Sequence, residues 1–188
     1  MWVIVPLAIA ILSWHALVLQ PAAGLENSWH AALHMALHDG VTFGNHLIFT
    51  YGPLGFLSVP TLWYGDTGVI AVLYTLLLRI ALAAAVFAGA RRSYGTVVGA
   101  ILALLVAGAT GIGLEEVAPT LGFETIPFVV FAVWVVDRVA DLRRLLLFMG
   151  VAGAVAAIEL LNKLSVGITV TALTVVMGLA ARGRRRTM

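Results

Sequence analysis

GVIAVLYTLLLRIALAAAVFAGARR, residues 68–92, decides what kind of chain this is. From Gly68 to Ala90 the only charged residue is Arg79, and the run stops at the pair Arg91-Arg92. A helix needs roughly 20 apolar residues to cross a bilayer core. Lipid offers no partner to backbone N–H and C=O groups, so a run of this kind is expected as a helix.

The rest of the chain repeats the pattern. Of its 188 residues, 62% are hydrophobic and only 11% charged, and the mean hydropathy is +1.05. Soluble domains carry about 25% charge, so the composition excludes an ordinary soluble enzyme. There is no cysteine, which removes disulfides, thiolate nucleophiles and Cys-based metal sites. The expected fold is all-α, a polytopic membrane helix bundle with six spans. These run over Trp2–Leu19, Gly68–Ala90, Tyr94–Ile112, Ile126–Ala140, Leu145–Leu161 and Val166–Ala181. Small residues at Gly95, Gly99 and Ala103, and at Gly150, Ala154 and Ala157, are expected to line close helix contacts. The first span is read as an uncleaved anchor rather than a signal peptide, because it lacks a basic leading region.

Charge orients the bundle. Arg91, Arg92, Arg138, Arg143, Arg144 and the four arginines of the RGRRRTM tail fall on one side, which the positive-inside rule makes cytoplasmic. Both termini are then expected in the cytoplasm of a bacterial inner membrane. The tail reads as an anchor on anionic lipid, and nothing points to nucleic acid. Residues 20–67 form the first external loop, with shorter external turns at Glu115–Glu124 and Asn162–Lys163.

The external loop is the most polar part of the chain. Residues 26–39 are expected as a surface helix, capped at its start by Asn27 or Ser28 and stopped by Gly40. Leu25, Trp29, Leu33 and Leu37 recur every four residues. Glu26, His30, His34 and His38 do so one position on, giving two adjacent stripes. The apolar stripe suits the membrane surface, with Trp29 at headgroup level. The His stripe suits a wet interfacial face, although a pair of its histidines could also hold a metal ion or sense pH. Beyond it, FGNHLIFTYGPLGFL (residues 43–57) combines turn-forming Gly and Pro with four aromatics, so it is expected to fold back and pack.

Charges at membrane depth complete the reading. Arg79 is expected to face the bundle interior and to pair with an acid or a lipid phosphate, since an unpaired cation there costs at least about 2.5 kcal/mol. Glu159 and Lys163 stand four residues apart in the order that favours a helical ion pair. Lys163 is also the only Lys or Arg in the external segments. Glu115 and Glu116 are either a solvated acidic turn or ligands of a hard divalent cation.

The order of an acidic residue, Ser28-Trp29, an amphipathic stretch, Phe43-Gly44 and Phe49-Thr50-Tyr51-Gly52-Pro53-Leu54-Gly55 resembles the first external loop of membrane proteins related to GT-C-fold glycosyltransferases. The likeness covers about residues 24–60. It implies sugar transfer from a polyprenyl-phosphate lipid donor at the outer face. In that scheme Glu26 is the catalytic base, and Glu115 and Glu116 hold a divalent metal, Mg or Mn. Lys163, ahead of Arg79, binds the lipid phosphate, and Tyr51 and His46 line the substrate pocket. The likeness also implies that the chain is the N-terminal part of a larger fold, completed by further sequence or a second polypeptide. The alternatives from other classes are a non-catalytic membrane subunit or lipid-binding scaffold and, further behind, a transporter.

Overall fold

The apolar runs fold as helices in a computed structural model that describes residues 3–13, 25–43, 51–112, 127–130, 132, 134 and 142–186. In chain order the helices are α1 (Ile4–Leu12), α2 (Leu25–His38), the short 3-10 helix η1 (Gly55–Ser58), α3 (Gly65–Ile112), α4 (Leu142–Asn162) and α5 (Leu164–Arg186). Residues 127–130, 132 and 134 are also helical. Among the described residues there is no strand; an isolated antiparallel bridge joins Tyr51 and Lys163.

The 48 residues of α3 are two helices joined at Gly95, whose φ of 82° and ψ of 175° are not helical. That region of backbone space is essentially open to glycine alone. The chain reverses there, because a Cβ on Gly99 would lie 2.8 Å from the backbone nitrogen of Arg91. In a continuous helix those two residues would stand about 12 Å apart along the axis. The limbs 65–94 and 96–112 therefore form a helical hairpin, and they correspond to the second and third expected spans. Their facing sides, with Leu82, Ala83, Val86 and Phe87 on one limb and Ala103 and Ala107 on the other, bury Ile9 of α1.

A second hairpin joins α4 to α5 across Lys163 alone. These are the fifth and sixth expected spans. Gly167 lies so close to Leu160 that a Cβ would overlap its backbone, and Gly178 meets Met149. Small residues permit the approach, as expected, but on a different face of α4. Ala152 and Ala156 are buried, whereas Ala154 and Ala157 are exposed and nothing lies near Gly150. Both alanine sets recur at helical spacing, and the neighbouring helix selects between them. Phe128, Val129 and Ala132 fill the space between Ala85 of α3, the alanines of α4 and Val170 of α5. Trp134 covers Gly89 at a site with no room for a Cβ.

Among the described residues, two helical stretches are long and apolar enough to cross a membrane, Gly65–Ala109 and Leu145–Asn162. Outward-facing residues include Val69, Ile70, Leu73 and Leu77 on α3, Leu146, Leu147 and Val151 on α4, and Val175, Val176 and Leu179 on α5, all exposed. The nine residues of α1 are shorter than a span. The remainder of the first expected span, and most of the fourth, lie outside the described residues.

Candidate functional site

One end of the bundle is closed by a cap made of α2, the segment 51–64 and the α4–α5 corner. Its foundation is the C-terminus of α4. The last carbonyls of a helix have no partners within it, and here the loop supplies them. Gly52 N–H donates to the Asn162 carbonyl at 2.9 Å, and Leu54 N–H donates to that of Leu161 at 3.0 Å. A side chain on residue 52 would overlap the Leu161 carbonyl, so the turn requires glycine there. Tyr51, Phe56, Leu57 and Val59 are buried with Leu33 of α2 and Ala71 of α3. The expected fold-back of the aromatic loop is what these residues do; Phe49 lies outside the described residues.

The C-terminus of α2 follows its sequence signals. Gly40 has a φ of +65°, Val41 N–H reaches the Ala36 carbonyl at 2.8 Å, and Gly40 N–H reaches that of Leu37 at 3.3 Å. This is a Schellman end. Its start differs from expectation: the helix begins at Leu25, so Asn27 and Ser28 lie inside the first turn rather than capping it. The His stripe also differs. His30 and His34 are buried and only His38 is exposed. His34 Nε2–H donates to the Val59 carbonyl at 2.8 Å. That tautomer leaves Nδ1 to accept from the Thr67 hydroxyl, also at 2.8 Å. Burial pushes this ring below its ordinary pKa, with the Val59 bond and the charge of Asp66 opposing. The histidine therefore ties α2 to the first turn of α3. Trp29, expected at headgroup level, instead stacks on Tyr51 with ring centroids 5.2 Å apart.

Lys163 stands at the corner where α4 gives way to α5. Its ammonium donates to the Tyr51 hydroxyl at 3.3 Å and lies 4.9 Å from the centre of the Tyr51 ring. A cation over an aromatic face is stabilised by about 0.5–1 kcal/mol at exposed sites and more when desolvated. The expected Glu159–Lys163 pair is replaced by other contacts. Glu159, fully buried, accepts from the Tyr74 hydroxyl at 2.5 Å and from Asn162 Nδ2 at 3.1 Å. Asn162 Oδ1 in turn accepts from Ser58 at 2.8 Å. Lys163 N–H still donates to the Glu159 carbonyl at 2.8 Å, but Tyr51, bridged to Lys163 through the backbone, offers its side chain the nearer partner.

Arg79 is buried, facing the interior as expected, and donates to the Ser13 carbonyl at 2.9 Å. Ser13 closes the C-terminus of α1, where unpaired carbonyls and the helix dipole favour a cation.

The candidate residues thus fall into groups. Tyr51 and Lys163 are brought together, and Glu26 lies in the first turn of α2, the helix that carries Trp29. Arg79 sits apart from them, at the end of α1. His46, Glu115 and Glu116 lie outside the described residues. Among the described residues no three His, Asp or Glu side chains converge as metal ligands. Tyr74 also belongs to the cap; its signal in the sequence is a hydroxyl within an apolar span. The chain matches no protein-family model, no curated protein and no solved structure.

Proposed function

We propose that this is a multi-pass membrane protein whose capped end faces outward, binds a polyprenyl-phosphate lipid and transfers a sugar from it, as the likeness to GT-C-fold glycosyltransferases implies. The observation that carries the reading is the Trp29–Tyr51–Lys163 cluster. It sets a half-buried ammonium beside two stacked rings at a helix corner. A cation held in this way suits a lipid phosphate, and the rings suit the group attached to it. The apolar outward faces of α3, α4 and α5 support the membrane setting, and the arginines at the Gly95 end support the orientation.

In this reading Glu26 takes the proton of an acceptor hydroxyl as that oxygen attacks the anomeric carbon. The bond from that carbon to the phosphate oxygen breaks, and the lipid phosphate leaves with its charge held by Lys163. Tyr51 and His46 line the pocket, and Arg79 is the second candidate cation. A divalent ion on Glu115 and Glu116 would offset further phosphate charge.

A second reading, a non-catalytic lipid-binding scaffold, is favoured by one observation. Gly52 and Leu54, within the motif that carries the likeness, cap α4, a structural task that needs no chemistry. Proteoliposomes supplied with a polyprenyl-phosphate sugar and an acceptor distinguish the two. The enzyme reading expects transfer that Glu26→Gln abolishes and Lys163→Gln weakens through a raised KM. Lipid binding that depends on Lys163 without any transfer supports the scaffold. Binding and transfer indifferent to both substitutions overturn both readings.

A further inference from the structure

The cap exposes an apolar rim that the proposed chemistry does not use. His38, in the last turn of α2, stacks face to face on Tyr64 with centroids 4.2 Å apart. That contact sets Leu37, 41% exposed, beside the segment carrying Leu62 and Trp63, which are 43% and 39% exposed. α3 begins two residues after Trp63. Its outward residues Val69, Ile70, Leu73 and Leu77 recur along one side and are exposed. The rim therefore continues an apolar helix face, with Leu73 about 12 Å along the axis from Gly65. Asp39 and Asp66 are exposed close by. An indole placed between a lipid-facing stripe and carboxylates meets the chemistry of the bilayer boundary, where its apolar ring and its N–H each find a partner. Trp29 is turned instead onto Tyr51 in the cap core.

From this juxtaposition we infer that Leu37, Leu62 and Trp63 enter the headgroup–acyl boundary of the membrane, with Trp63 as the anchor that sets the depth of the cap. The inference rests on the membrane reading of the bundle and is independent of sugar transfer. It commits to a lipid surface, because the rim is continuous with the apolar face of α3.

The chain has no cysteine, so nitroxide labels can be attached to single introduced cysteines in the full protein, reconstituted in phosphatidylcholine vesicles. Collision with oxygen, enriched in hydrocarbon, and with a water-soluble nickel complex reports depth. Leu73→Cys is expected in hydrocarbon and Asp39→Cys in water. Trp63→Cys is expected between them, meeting nickel about threefold less often than Asp39→Cys. Leu62→Cys gives an independent reading at the same level. If Leu73→Cys lies in hydrocarbon while positions 62 and 63 are as wet as Asp39→Cys, the inference is overturned. The same holds if they are shielded from both reagents, as a protein partner would shield them. If Leu73→Cys is itself as wet as Asp39→Cys, the membrane reading fails and this inference with it.

Discussion

At the scale of single residues, the cap depends on groups whose partners are remote in sequence. Gly52 has no room for a methyl group against the Leu161 carbonyl. Gly52→Ala should push the loop off α4 and leave two helix-end carbonyls without donors, at about 1–3 kcal/mol each where buried. Faster hydrogen exchange at residues 52 and 54, with a lowered unfolding temperature in detergent, would show it. His34 makes a pH prediction of definite sign. Its neutral ring is favoured in the folded cap, so below the ordinary histidine value of about 6.5 the unfolded segment binds more protons than the folded one. The docking of α2 should be fully stable above that pH and weaken as pH falls below it. Hydrogen exchange across α2 between pH 7.5 and 5 reads the effect, and His34→Gln should flatten it. His30 and His38 lie on the same helix, Asp39 just after it and Asp66 in the first turn of α3, so the comparison with this variant isolates residue 34. None of this was visible in the spacing of the His stripe. Periodicity aligns His30, His34 and His38, but it does not reveal that Val59 and Thr67, 25 and 33 residues further on, wait for His34.

At the scale of elements, two hairpins carry the fold, and their helices were legible because each is a long apolar run. The second corner was legible, Asn162–Lys163 being a polar interruption between two such runs; the first falls at Gly95, which the sequence placed inside the third span as a packing residue, a few residues past the polar break at Arg91–Ser93. Gly95 makes the first hairpin possible. Ala83 and Ala107, buried in one cluster, are 24 residues apart in sequence and would be separated by about 36 Å in an unbroken helix. A doubly substituted Ala83→Cys/Ala107→Cys protein should therefore join within one chain under a short bifunctional thiol reagent, giving a compact band on a denaturing gel. Absence of that band would contradict the hairpin. Gly95→Ala should reduce the yield, because its backbone angles cost other residues about 1–3 kcal/mol. The face that each helix turns inward was not legible. On α4, two sets of small residues have equivalent spacing, and contact with α5 and with Phe128, Val129 and Ala132 selects Ala152 and Ala156.

At the scale of the whole molecule, the cap and the Gly95 turn lie at opposite ends of the first limb of α3. The proposed orientation, read from charge segregation, puts the Gly95 end in the cytoplasm. Cysteines at Asp39 and Ser93, both exposed, should then react with a membrane-impermeant thiol reagent from opposite sides. In intact cells Asp39→Cys should be labelled and Ser93→Cys protected until the membrane is opened. Labelling of both from one side would remove the proposed topology, and the reverse pattern would invert it. The cap would then be a cytoplasmic structure, unable to meet a donor on the outer face.

Composition and hydrophobic run length settled the helical class, the positions of the hairpins and the Gly40 end of α2, because each depends on groups close together in the chain. Contacts between distant segments decided the rest. Lys163 turned to Tyr51 instead of Glu159, Glu159 to Tyr74, which lies 85 positions away, and Arg79 to Ser13, 66 positions away. A buried polar group takes whichever partner the fold brings within hydrogen-bonding distance, and spacing along one helix does not reveal which helix that partner is on.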